Sequence, residues 1–234
     1  MATIKAVVFD IDGTLVDHEY AERQGVISLF RTVRRTLSGN PTSGEFVTLW
    51  HDEAERYAEL YSSGRLTLRE ARIQRVQGIF RRWGRTLTED EALALYHQYY
   101  TTYERSWRLF DDVLPCLEML SSYRLGVISN GDGANQRRKL QHTGILARFQ
   151  SVVVSGDAGT AKPQPQIFLQ CTEELDVAPP ETLYIGDKPD VDALGAVGAG
   201  LYGVWLNRMV TGEARWGITT VRSLADLPGL LEKS

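Results

Sequence analysis

The chain is predicted to fold as a doubly wound α/β domain, a parallel sheet with helices on both faces, interrupted by a helical insertion. Three observations predict it: short Val, Ile and Leu runs ending on small or acidic residues, amphipathic helix-length segments between them, and one long stretch with helical periodicity and no strand. The runs are "IKAVVFD", "RLGVISN", "SVVVSGD" and "TLYIGD", with "LYGVWLN" as a fifth. A strand buried on both faces is apolar throughout rather than alternating, so these read as inner strands of a parallel sheet. Between the third and fourth, Gln164 to Leu175 sets Ile167, Phe168, Cys171 and Leu175 on one helix face. In open sheets of this class, ligands gather at the carboxyl ends of the strands.

Residues 16–107 break the alternation. Leu93, Tyr96, Tyr100, Tyr103 and Trp107 alternate spacings of three and four, and Phe46, Leu49, Trp50, Tyr57, Leu60 and Tyr61 mark a second helix. "LSGNPTSGE" and "YSSGRLT" are the expected turns, on their Gly, Pro, Ser and Asn content. The expected organisation is therefore a core domain of residues 1–15 and 108–234 carrying a helical domain of residues 16–107. The tyrosine stripe reads as core packing rather than a substrate shelf.

The 234 residues, 43% of them hydrophobic, suffice for a core with an insertion. A formal net charge of −4 argues against a nucleic-acid polymer or membrane surface as partner, which leaves something small. Cys116 and Cys171 lack the spacing of a disulfide framework or zinc site and read as reduced core thiols. The apolar run before Asp10 is four residues long, too short for a signal-peptide core, and no run of eighteen apolar residues occurs. A cytoplasmic monomer or homodimer is expected.

The chemistry sits at the strand ends. "KAVVFDIDGT" closes the first strand on Asp10 and Asp12, which on an extended backbone point the same way. Such a pair is tolerable around a divalent cation or with one carboxyl protonated, and taken alone it reads equally well as a solvated turn. An EF-hand loop is excluded, because Leu15 and Ala21 stand where glycine and glutamate are required. "VISNG" supplies Ser129 and Asn130, whose hydroxyl and backbone N–H groups suit a phosphate oxygen. "GTAKPQPQIF" places Lys162 before a proline-started helix, available to neutralise an anion. "YIGDKPDVD" ends the fourth strand on Asp187, followed by Asp190 and Asp192. Singly these read as turn residues, a surface lysine and a helix cap; together, in order, they converge on one site.

In their joint order "DIDGT", "ISN", "AKP" and "GDKPDVD" resemble the motifs of the haloacid dehalogenase-like hydrolases, and the likeness spans essentially the whole chain. The helical stretch after the first motif is similar to that family's helical-cap subclass. The resemblance implies a Rossmann-like core, a phosphatase acting through an aspartyl-phosphate, and Mg²⁺ as cofactor. It makes Asp10 the nucleophile and Asp12 the general acid and base. Ser129 then binds the phosphoryl group, and Lys162 steadies both nucleophile and phosphate. Asp187 completes the metal site with the Asp10 carboxylate and Asp12 carbonyl, and Asp192 supports it from outside. Val191 stands where the family has asparagine, which leaves the sharing of roles between Asp190 and Asp192 open. Asp12 favours phosphoryl transfer over halide displacement, because dehalogenases of the family lack that second aspartate.

The chemistry stands without the family name. A carboxylate is ionised at neutral pH and attacks without a base, but a phosphate ester repels it unless cations intervene. Hard Mg²⁺ prefers oxygen ligands, and an acid crowded by negative charge holds a proton for the leaving alkoxide. Residues 31–85 carry eleven arginines against six acids, a field that draws anionic substrates, and Arg65, Arg69 and Arg72 are spaced to share a helix face. "GAVGAG" fails the dinucleotide fingerprint on spacing. The expected substrate is a small phosphate monoester of nucleotide, sugar phosphate or phosphoglycolate type, with nucleoside monophosphates favoured by likeness to nucleotidase members. A phosphomutase, or a catalytically silent binding protein of the same fold, are the alternatives.

Overall fold

The computed structural model describes residues 3–209 and 217–231, so positions 1, 2, 210–216 and 232–234 of the expected core domain lie outside the described residues. The chain divides into two compact units, one running to Asp17 and resuming at Arg108, the other His18–Trp107. Val16 belongs with the sheet because it bridges Leu109, and Asp17 because its N–H donates to the Arg108 carbonyl at 3.0 Å.

After β1 (Ala6–Phe9) the helical unit follows as α1 (His18–Val33), α2 (Ser43–Ser62), α3 (Leu68–Arg82) and α4 (Glu89–Arg105). Thr42, Thr67 and Thr88 start the last three, each accepting from the N–H of a glutamate three residues on whose carboxylate returns to the cap N–H. The core of this unit is aromatic: Phe46, Trp50, Phe80, Tyr96, Tyr99, Tyr103 and Trp107 are all buried. The α4 stripe packs as expected but is centred one residue away, with Tyr99 buried and Tyr100 half-buried. The three arginines do not share a helix face, because Thr67 caps α3 and leaves Arg65 in the preceding turn. Arg69 pairs with Glu89 at 3.1 Å, and the Arg72 guanidinium lies 5.1 Å from the Tyr96 ring centroid.

The sheet unit continues as α5 (Val113–Met119), β2 (Arg124–Ser129), α6 (Gly133–His142), β3 (Ser151–Val154), α7 (Ser155–Ala158), α8 (Pro165–Glu174), β4 (Thr182–Gly186), a π turn over Pro189–Ala193, α9 (Leu194–Gly198), β5 (Tyr202–Leu206), β6 (Thr219–Val221) and α10 (Leu227–Leu231). All strand pairs are parallel and their order is β3-β2-β1-β4-β5-β6, the doubly wound arrangement. Alternation within β1 explains both layers: Val7 and Phe9 enter the core lined by α5, while Ala6 and Val8 enter the one lined by α8. Strand order reverses between β1 and β4, so their carboxyl ends open the crevice in which this architecture binds ligands.

The acidic run at the end of β1 departs from the expected geometry. The strand stops at Phe9 and residues 11–16 curl into a turn, the Leu15 and Val16 N–H groups both donating to the Ile11 carbonyl. Gly13 permits it at φ +82°, and a Cβ there would lie 2.5 Å from an Asp187 carboxylate oxygen. The backbone from Asp10 to Asp12 is therefore not one extended run. No helix among the described residues is long and apolar enough to cross a membrane.

Candidate active site

Asp10 is the first residue past β1, and its N–H donates to the Ile185 carbonyl at 2.9 Å, fixing it against the end of β4. One residue beyond β4, Asp187 is held by the Trp205 indole N–H, which donates to its main-chain carbonyl at 3.0 Å. The π turn that follows rotates Asp192 inward to 1% exposure and leaves Asp190 on the surface. Gly186 leaves room for this, since a Cβ there would meet the Asp192 carboxyl carbon at 2.3 Å. Carboxylate oxygens of Asp10, Asp187 and Asp192 lie within 4.8 Å of one another.

Lys162 is the cation among them. Its buried ammonium donates to Asp10 Oδ1 at 2.6 Å, Asp192 Oδ1 at 2.7 Å and the Tyr184 hydroxyl at 2.8 Å, which uses all three N–H groups. Asn130 holds its main chain from both sides, the Lys162 N–H donating to Asn130 Oδ1 at 2.8 Å and Asn130 Nδ2 to the Lys162 carbonyl at 3.0 Å. Ser129 ends β2 with its hydroxyl accepting from Gln136 Nε2 at 3.1 Å. Asp12 faces other partners, Lys139 and Gln136 of α6.

Three carboxylates, those of Asp10 and Asp192 buried and that of Asp187 half-buried, against one ammonium leave two negative charges uncompensated, and the titration of the group reflects it. Burial pushes the Asp10 carboxyl up to about 8; the Lys162 ammonium opposes this, and the charges of Asp192 and Asp187 add to it. Asp187 is pushed up to about 6 by burial and by Asp192, against the pull of Lys188 and Lys162. Burial alone would lower the Lys162 pKa, but Asp10 and Asp192 raise it, so the lysine stays charged.

A divalent cation fits these residues. Two surplus charges match it, the donors are hard oxygens, and Asp187 Oδ1 is buried without a hydrogen-bond partner. Asp192 is engaged at both oxygens, Oδ1 by Lys162 and Tyr184 and Oδ2 by the Lys188 N–H at 2.9 Å.

Asp10, Lys162, Asp187 and Asp192 are thus gathered at the strand ends with Asn130 clamping the lysine main chain, and Asp12 joins Ser129 through the Gln136 amide they share. Sequence reasoning missed Tyr184, Gln136 and Lys139. The signal for the last two was available: Gln136, Lys139 and Leu140 fall one helical turn apart after β2, on a face that had to be buried.

A family model described as haloacid dehalogenase-like hydrolase matches residues 4–200. The N-acylneuraminate-9-phosphatase of Mus musculus is 28% identical over 99% of this chain and 95% of its own. The glyceraldehyde 3-phosphate phosphatase of Methanopyrus kandleri is 28% identical over 88% of this chain and 84% of its own. Among solved structures, the HAD-hydrolase YfnB of Bacillus subtilis bound to magnesium has a TM-score of 0.80 at 23% identity, covering 97% of this chain and 98% of that one, a likeness of fold.

Proposed function

The chain belongs to the haloacid dehalogenase-like hydrolases, and from that premise we propose that it hydrolyses small-molecule phosphate monoesters through a phosphorylated Asp10, with Mg²⁺ as cofactor. The observation that carries this reading is the cluster of Asp10, Asp187 and Asp192 around the Lys162 ammonium at the reversal of strand order. Likeness over most of the length of two phosphatases of small metabolites supports the substrate class.

Asp10 and Asp187, with the Asp12 main-chain carbonyl that the family's pattern adds, are the residues proposed to hold the metal. Bound there, the ion neutralises the two surplus charges and polarises the phosphoryl oxygens. Lys162 keeps Asp10 oriented through Oδ1 and adds positive charge beside the phosphoryl group. Asp192 anchors that lysine. The Asp10 carboxylate attacks phosphorus as the ester P–O bond breaks, and Asp12 gives its proton to the departing alkoxide. Asp12 then takes a proton from water, whose oxygen attacks phosphorus, releasing inorganic phosphate and restoring the Asp10 carboxylate. The Ser129 hydroxyl is the proposed phosphate donor, and Asn130 acts through its clamp on the Lys162 main chain. The two units are read as a catalytic core and a helical cap that selects substrate.

The test is phosphate release over N-acylneuraminate 9-phosphate, glyceraldehyde 3-phosphate, phosphoglycolate and nucleoside monophosphates, with magnesium and with chelator. Magnesium-dependent release from at least one ester is expected. Release from none, with metal binding confirmed, refutes the reading.

A further inference from the structure

Both oxygens of the Asp12 carboxylate are met by side chains of α6. Lys139 Nζ donates to Oδ1 at 2.5 Å, and Gln136 Nε2 donates to Oδ2 at 2.9 Å while also reaching Ser129 Oγ at 3.1 Å. Residues three apart on a helix lie on one face, so the two donors form a fork with fixed spacing. The fork is anchored: Asp132 caps α6 by accepting the Asn135 N–H at 2.9 Å, and Leu140 lies in the sheet core. Lys139 is only 1% exposed, and a buried ammonium is retained at such a position when a carboxylate offsets its desolvation. The Asp12 side chain, by contrast, is 28% exposed, so the carboxylate keeps access to solvent.

We infer that Lys139 and Gln136 are positioning residues for phosphoryl transfer, holding the Asp12 carboxylate in the one orientation that delivers its proton to the leaving group. The inference rests on the proposed role of Asp12. Lys139 and Gln136 each take a different oxygen of the carboxylate, which fixes the plane of the group rather than one atom of it. Lys139 does not reach the substrate in this account. Its ion pair and the Gln136 amide bond remove rotamers that would turn Asp12 away, and small misplacement of an acid is costly in rate. Gln136 ties this orientation to Ser129, so phosphate donor and proton donor share one support.

The test exploits leaving groups. An alkyl alkoxide needs a proton to depart and p-nitrophenolate does not, and kcat/KM reports the steps up to that departure. In the full-length enzyme with magnesium, Lys139→Met should lower kcat/KM roughly 10- to 100-fold for an alkyl phosphate, within the range of general acid catalysis, and only about 2-fold for p-nitrophenyl phosphate. Gln136→Leu should shift the ratio in the same direction and serves alone if Lys139→Met fails to melt cooperatively. Equal losses on both esters would overturn the inference, because a merely structural role lowers them together. A wild-type enzyme releasing phosphate from neither ester would instead overturn the phosphatase reading, a distinguishable failure.

Discussion

Stability of the metal-free protein should fall as pH rises from 5 to 8.5, and magnesium should abolish most of that fall. The Asp10 carboxyl ionises near 3.8 in an unfolded chain but at about 8 in the fold, and Asp187 at about 6. Between those values the folded state binds more protons than the unfolded one, so stability is greatest below the unfolded value and is lost as pH climbs through the folded one. About four pKa units at Asp10 correspond to an effect on the order of 5 kcal/mol, an upper bound that relaxation of the site reduces. For a chain of this size each kcal/mol moves Tm by about 2–4 °C. His51, raised by its bond to Glu22 against burial, loses stability in the same direction, but it lies in the helical unit and is not a metal candidate. Urea unfolding in chelator and in excess magnesium, for wild type and Asp10→Asn, separates the two: the magnesium increment should grow with pH in wild type and shrink in the variant. An increment as large at pH 5 as at pH 8, or metal-free stability rising over that range, would refute the charge argument.

Asp12→Ala should cost at least about 100-fold in kcat on alkyl phosphates with the fold intact by circular dichroism, a loss typical of a missing general acid. Asp112→Ala should destabilise by about 2–4 kcal/mol in urea, because Arg208, now bonded to both its oxygens at 2.8 and 2.9 Å, would be left half-buried with only the Thr14 carbonyl and no carboxylate to offset its charge. Burial raises the Asp112 pKa, but bonds from Arg208, Ser223 and Leu224 hold it below its ordinary 3.8, so this stabilisation is present above about pH 4 and is lost in acid. Thr67→Ala should cost about 1 kcal/mol through loss of the α3 cap, read by the same unfolding experiment.

The inner strands and the acids at their ends were legible because burial on both faces writes an apolar run, and the runs of β1, β2 and β4 carry chemistry directly at their ends. β6 was not, since Thr219–Val221 is three residues long with only Val221 buried. The helix starts were written three times as Thr-x-x-Glu, a local signal that periodicity alone overlooks and that would have placed Arg65 outside α3. What no local pattern carries is tertiary partnership. The π turn alone decides that Asp192 faces the cluster and Asp190 the solvent. Tyr184 reads as one more apolar strand residue until its hydroxyl is found between Lys162 and Asp192. Lys139 is hidden for a physical reason, because a lysine is almost never fully buried unless paired, and its partner lies 127 residues away.

The central claim is that phosphate leaves its ester by way of Asp10. The most direct measurement is mass spectrometry of the protein quenched during turnover of a cleaved ester, with the modified peptide mapped. A base-labile phosphoryl group is expected on the peptide carrying Asp10 in wild type, with neither label nor turnover in Asp10→Asn. Turnover at the wild-type rate in Asp10→Asn, or a phosphoryl group on any other residue, would contradict it.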